Sequence, residues 1–301
     1  GVYSPGSGIP LIKFDISSSA APMFLQGDEL RINGKITCAG VTNTGKNFVD
    51  NFAGRFASCI DTITISSKRL NQVIERVNNY WRVVPSVISA LHGNEDLSTV
   101  LAHEGGHHQT NFLARHEMVA NQDNKGKSFS SRLYTGCLNS GQMLDLSQAG
   151  MGGLVIEILL KPNVSYVFGT DAATNSSTFQ LSDLTLTCPL YHTAAGAPNA
   201  ETFAFNSLST IFQTVNSSTS VIALTPGLKQ VSSIFANFMN TAEIGNQSFN
   251  SCRLGNIGQV RALRFSINGA LNPLQYRLLT NEEANDNLAP AGKQYRARCM
   301  I

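Results

Sequence analysis

The sequence predicts an all-β protein with a few helices, arranged as two β-sandwiches in tandem. Three observations carry that prediction. Apolar and polar residues alternate at period two over most of the chain, one amphipathic stretch interrupts them at helical spacing, and a polar Ala-Gly-Ala-Pro linker separates two strand-rich blocks. The first block covers 1–192 and the second 193–301, with the linker at Thr193 to Glu201.

In the first block, Ile12, Phe14 and Ile16 share one face and Lys13 and Asp15 the other, which reads as a half-buried strand. A turn at Gln26-Gly27-Asp28 leads into the clearest strand, where Leu30, Ile32, Ile36 and Cys38 alternate with Glu29, Arg31, Asn33, Lys35 and Thr37. Cys59 to Ile65 continues the pattern. Gly153 to Phe168 carries Leu154, Ile156, Ile158 and Leu160 in phase before a turn at Pro162-Asn163. Phe179 to Leu190 follows, and its change of parity between Leu181 and Leu184 predicts a bulge.

Between these strands, Leu70, Val73, Ile74, Val77, Trp81, Val84, Ile88 and Leu91 fall at helical spacing and predict an inserted helix over 70–92, kinked or ended by Pro85. Trp81 beside Tyr80 reads equally as helix packing or as an interface anchor. The polar stretch 95–127 reads as a long irregular loop of the kind used for function or contact.

The second block has strand character over Phe203 to Val215, Val221 to Leu224 and Leu263 to Ile267. A short helix is expected over Leu228 to Met239. Phe203, Phe205, Phe212 and Phe235 lack interleaved Lys or Arg and read as core rather than as base-stacking residues. After Leu279 the chain turns polar and strand-poor, so the second sandwich is expected to be short or incomplete.

Only 14% of residues are charged, against roughly 25% in an ordinary globular protein. The polar surface must therefore come mainly from Ser, Thr, Asn and Gln, and contacts between copies desolvate few ions. The net charge of +2, with basic residues scattered singly, gives no nucleic-acid stripe. No apolar run approaches the roughly 18 residues of a membrane span, and the first residues lack a signal-peptide pattern, so a soluble chain is expected.

Six dispersed cysteines (Cys38, Cys59, Cys137, Cys188, Cys252, Cys299) form no CxxC pair and are expected to be reduced core thiols. Sequons at Asn163, Asn175, Asn216 and Asn246 are chance matches in a chain rich in Asn and Ser.

His103-Glu104-Gly105-Gly106-His107 matches HExxH, the one enzymatic signal of substance. Zinc chelation by His103 and His107, with Glu104 as base, needs a helix, and each central glycine costs about 1 kcal/mol there. The candidates for a third ligand, His108, His116 and Glu117, lack zincin spacing. Gly40 to Lys46 fits GxxxxGK, but Asn47 replaces the magnesium-binding Ser or Thr, and a β-turn is the better reading. The expectation is therefore no catalytic residue, no cofactor and no metal site. A zinc hydrolase built on His103, Glu104 and His107 and a secreted β-sandwich adhesin or lectin are the alternatives.

Several of these segments together resemble a family. Ile12 to Ile16 with the Gly27-Asp28 turn and the Leu30 to Cys38 strand, Ile63-Thr-Ile-Ser-Ser, Val73 to Tyr80, Leu154 to Phe168, Phe179 to Leu190, and Arg264 to Pro273 are similar in order and type to the double jelly-roll major capsid proteins of tailless double-stranded DNA viruses, of the virophage and polinton-like type. The resemblance implies two jelly rolls and an architectural role. It further implies homotrimers of pseudo-hexagonal outline that assemble inside the host cell and tile the icosahedral shell of the virion, with neighbouring capsomers and minor capsid or penton proteins as partners. Only 301 − 190 = 111 residues follow Leu190, which is short for a second jelly roll.

Overall fold

The computed structural model describes residues 1–5, 8–18, 22–39, 47–50, 56–84, 117–119, 127–148, 150–161, 167–169, 178–192, 203–217 and 220–223, together with short strands nearer the C-terminus. In chain order the strands of the first block are β1 (Val2–Tyr3), β2 (Leu11–Ser17), β3 (Met23–Gln26), β4 (Arg31–Ala39), β5 (Asn47–Asp50), β6 (Ile60–Ser67), β7 (Val73–Asn78), β8 (Glu117–Val119), β9 (Lys127–Arg132), β10 (Met143–Asp145), β11 (Gly153–Leu160), β12 (Val167–Gly169), β13 (Thr178–Thr187) and β14 (Leu190–His192).

Eight of them form two four-stranded antiparallel sheets, of order β1-β13-β4-β9 and β2-β11-β6-β7. The pairings β1 with β13, β2 with β11, β4 with β9 and β6 with β7 are those of one long antiparallel ribbon closed by the β6–β7 connection. Rolling that ribbon over itself adds the contacts of β13 with β4 and of β11 with β6. The result is the eight-stranded jelly roll, and the sandwich reading of the first block is now specific. Two further three-stranded sheets have the orders β10-β3-β14 and β12-β5-β8.

Alternation decides which face of each strand turns inward. From the first sheet Ile32, Ile36, Phe129, Phe179 and Leu181 are buried, and from the second Ile12, Ile16, Ile63, Ile65, Val77, Leu154, Ile156 and Ile158. These side chains belong to one continuous core, in which Phe56 stacks on Phe129 at 4.7 Å between ring centres. Burying each large aliphatic side chain stabilises the fold by about 1.5–3 kcal/mol. Gly153 opens β11 at φ +112°, where a Cβ would collide with the Ile16 carbonyl, so the tight entry into the sheet requires glycine.

The expected bulge in β13 is present. Its register against β4 shifts between Ser182 and Thr185, with Asp183 at φ +54°.

Four expectations are corrected. The helix over 70–92 is replaced at its start by strand β7, and helical geometry is found only at 80–84 among the described residues of that span. The physical reason is tertiary. Val73, Ile74 and Val77 are β-branched, β6 offers an unpaired edge, and Glu75 at a buried strand position hides the period-two pattern. The 95–127 stretch, read as irregular, contains β8, which pairs with β5. In the second block, residues 203–216 form no strand, and the helix expected over Leu228 to Met239 is interrupted by strand β15 (Ser233–Ala236).

The remaining strands are β16 (Ala262–Leu263), β17 (Ser266–Ile267), β18 (Ala270–Leu271), β19 (Arg277–Leu278) and β20 (Ala297–Met300), the last pairing with β15 in a stretch read as strand-poor. β17 and β18 pair antiparallel, Ser266 opposite Leu271 and Ile267 opposite Ala270.

Candidate functional site

Among the described residues the most connected polar group of the jelly roll is Glu75, on the edge strand β7 and 3% exposed. Its carboxylate accepts the backbone N–H groups of Gly136 at 3.1 Å, Cys137 at 2.7 Å and Leu208 at 3.2 Å. An isolated buried carboxylate would be costly. Three charge-assisted bonds make it a clamp instead. Two of those donors lie in the turn after β9, where Tyr80 also accepts the Tyr134 N–H at 2.7 Å.

The third donor belongs to an extended strap, residues 203–210, that lies across the jelly roll. Phe203, Phe205 and Leu208 pack on the core, the two rings are 5.6 Å apart, and the Thr210 hydroxyl donates to the Asn78 carbonyl at 2.8 Å. At Gly136 the strap passes so close that a Cβ would collide with the carbonyl of Asn206. Glycine is thus needed for backbone approach. Phe203 and Phe205 are core residues as expected, whereas Phe212, also read as core, is 51% exposed and is corrected accordingly.

Cys137, beside Glu75, is pushed up to about 12, first by burial and then by the carboxylate's charge, and burial alone raises Cys188 to about 11. Neither forms a disulfide. Both thiols therefore stay protonated near neutral pH and are poor nucleophiles and poor metal ligands.

Trp81 is buried, with the Lys161 ammonium 4.3 Å from its ring centre and Asp61 3.7 Å from that ammonium. Of its two sequence readings, packing within the chain is the one found. Burial lowers the Lys161 pKa, and Asp61 opposes that shift.

His103, Glu104 and His107, with His108 and His116, lie outside the described residues; Glu117 begins β8. Among the described residues no group of three or more His, Cys, Asp or Glu is placed to hold a metal ion. Asn47, the residue after the GxxxxGK match, begins strand β5 and not the helix whose N-terminus a phosphate loop uses.

The outer faces of the two sheets differ. On β2-β11-β6-β7 the charges pair within the chain, Lys13 with Glu157 at 3.4 Å and Lys68 with Asp15 at 2.6 Å. Leu11 and Leu159, directly opposite each other in the register, remain 42% and 38% exposed at one end of that face. On β1-β13-β4-β9 the described outward residues are mainly hydroxyl, amide and basic groups.

No family model and no curated protein matches the chain. Among solved structures it is similar to PBCV-1 VP54, as fitted into a cryo-EM reconstruction of the virophage Sputnik. That match has 13% identity and a TM-score of 0.39, over 64% of this chain and 42% of the other. It is also similar to a chain of the Sputnik virophage solved by cryo-EM, at 9% identity and a TM-score of 0.33, over 66% of this chain and 49% of that one. The chain spans less than half the length of each chain it matches. No helix of the described residues is long and apolar enough to cross a membrane.

Proposed function

We propose that this chain is a structural capsid protein, with no catalytic role, that assembles with copies of itself into the shell of a double-stranded DNA virus. The observation that carries the reading is the rolled ribbon itself. Its interior positions are filled by aliphatic and aromatic side chains, which leaves the outer sheet faces, sheet edges and connections as the places where the protein meets anything else. Only 14% of the chain is charged, and the exposed Leu11–Leu159 pair and Ile9 add apolar area suited to contact between subunits.

In the finer reading, 193–301 is a second, short or incomplete jelly roll, supported by the antiparallel pairs β15–β20, β16–β19 and β17–β18. Three two-sandwich subunits then give a trimer of pseudo-hexagonal outline, closed by rotational symmetry, and such trimers tile an icosahedral shell. Minor capsid or penton proteins are the further partners, the virion is the location, and assembly takes place inside the host cell.

Native mass spectrometry at low micromolar concentration, followed by electron microscopy of the purified protein, tests this. Trimers and shell fragments are expected. A stable monomer with no larger assembly would overturn the reading, as would stoichiometric zinc with a peptidase activity abolished by Glu104→Gln.

A further inference from the structure

On the outer face of β1-β13-β4-β9, Arg31 and Arg132 stand directly opposite each other in the register of β4 with β9. Their neighbours Ile32 and Ser131 are buried, so alternation turns both arginines outward on the same side. Directly opposed like charges destabilise a sheet. Yet among the described residues the ion pairs involve neither guanidinium. The Nε of Arg132 is closed off from solvent without an acceptor, which leaves a charged donor desolvated and unsatisfied.

The surroundings supply donors. Arg31 is flanked on its other side by Thr187, whose hydroxyl accepts from Asn33 Nδ2 at 2.8 Å and so keeps its own hydrogen to donate. Lys35 lies further along the same face, opposite Ser182 and Ser128. The carboxylates nearest in these segments are Glu29, exposed just before β4, and Asp183, which sits in the β13 bulge and accepts from Ser182.

We propose that Arg31 and Arg132 form an oxyanion site that takes a phosphate group, with Thr187 as a further donor. A carboxylate carries one negative charge and leaves one guanidinium uncompensated, whereas a phosphate group carries about −1.5 to −2 at neutral pH and offers oxygens to both planar forks.

The test is titration of the full chain with inorganic phosphate at constant ionic strength, followed by calorimetry and thermal unfolding. Saturable binding with a rise in Tm is expected. Binding should fall at least tenfold in Arg31→Gln and in Arg132→Gln, and stay unchanged in Lys13→Gln on the other sheet. If either glutamine variant fails to fold, the lysine replacements, which keep the charge but lose the fork, should still bind more weakly than the native protein. A duplex oligonucleotide that competes through the same arginines would assign the phosphate to a nucleic-acid backbone, and failure to compete would assign it to a free phosphate. No saturable binding, or equal binding by the native protein and both variants, overturns the proposal. So does an arginine-dependent change in oligomeric state that phosphate leaves unmoved, since that gives the pair to a carboxylate of another copy.

Discussion

The Glu75 carboxylate accepts the Cys137 N–H at 2.7 Å, joining edge strand β7 to the turn that follows β9. Because the same carboxylate holds Gly136 and Leu208, one side chain fastens both the turn and the strap to the sandwich. Removing it strands three backbone donors. Glu75→Ala should lower stability by roughly 3 kcal/mol, the scale of lost charge-assisted bonds and unsatisfied buried N–H groups. Glu75→Gln, which keeps one acceptor oxygen, should lose less. Urea unfolding of the two variants measures the difference, and equal stability of Glu75→Ala and the native protein would remove the clamp from the account.

The strap's docking depends on backbone approach at Gly136. Gly136→Ala should push Asn206 away and expose 203–217, so limited proteolysis should cut there faster than in the native chain. A control substitution at Gly141, where a Cβ meets nothing within 4 Å, should leave the strap in place, with only the modest cost of its φ of +73°.

Alkaline pH should weaken the fold through its buried thiols. Cys137 ionises at its ordinary value of 9.0 when unfolded and at about 12 when folded. Between those values the unfolded state has lost a proton that the native state retains, so stability falls as pH rises from about 9 toward 12 and is fully present below. Cys188, raised to about 11, acts in the same direction. Stability curves of the native chain and of Cys137→Ala, compared at pH 8 and pH 10.5, should converge at the higher pH. A difference that stays constant would exclude the thiol as the cause. At pH 8 both thiols should react slowly with a maleimide until the protein is unfolded.

At the β13 bulge, Asp183 holds φ +54°, a conformation tolerated by Asp, Asn and Gly and costing about 1–2 kcal/mol in other residues. Asp183→Val should destabilise by about that amount, and Asp183→Gly should be close to neutral. Thermal unfolding distinguishes them, and indistinguishable Tm values would mean that the bulge relaxes.

In the core, Ile63 and Ile158 are directly paired and both fully buried. Ile158→Ala should cost about 2–5 kcal/mol, because the packed sheets collapse only partly into the space left behind. A cost under 1 kcal/mol on urea unfolding would show that β11 is not central to the sandwich.

The strands whose one face must be dry are readable from the residues alone. β2, β4, β6, β11 and β13 were legible because Ile12, Ile32, Ile63, Ile156 and Leu181 alternate with polar residues, and alternation is a local property. The bulge in β13 was legible for the same reason, as a break in parity. Everything set by a distant partner emerges only once the chain has folded. Strand β7 forms because β6 offers it an edge. Glu75 is buried because N–H groups from the β9 turn and the strap converge on it, and no pattern near residue 75 announces donors at 136, 137 and 208. Arg31 faces Arg132 only through the register of β4 with β9, and that register follows from rolling the whole ribbon rather than from either strand. Short-range periodicity fixes which way a side chain faces, while long-range pairing fixes what it meets.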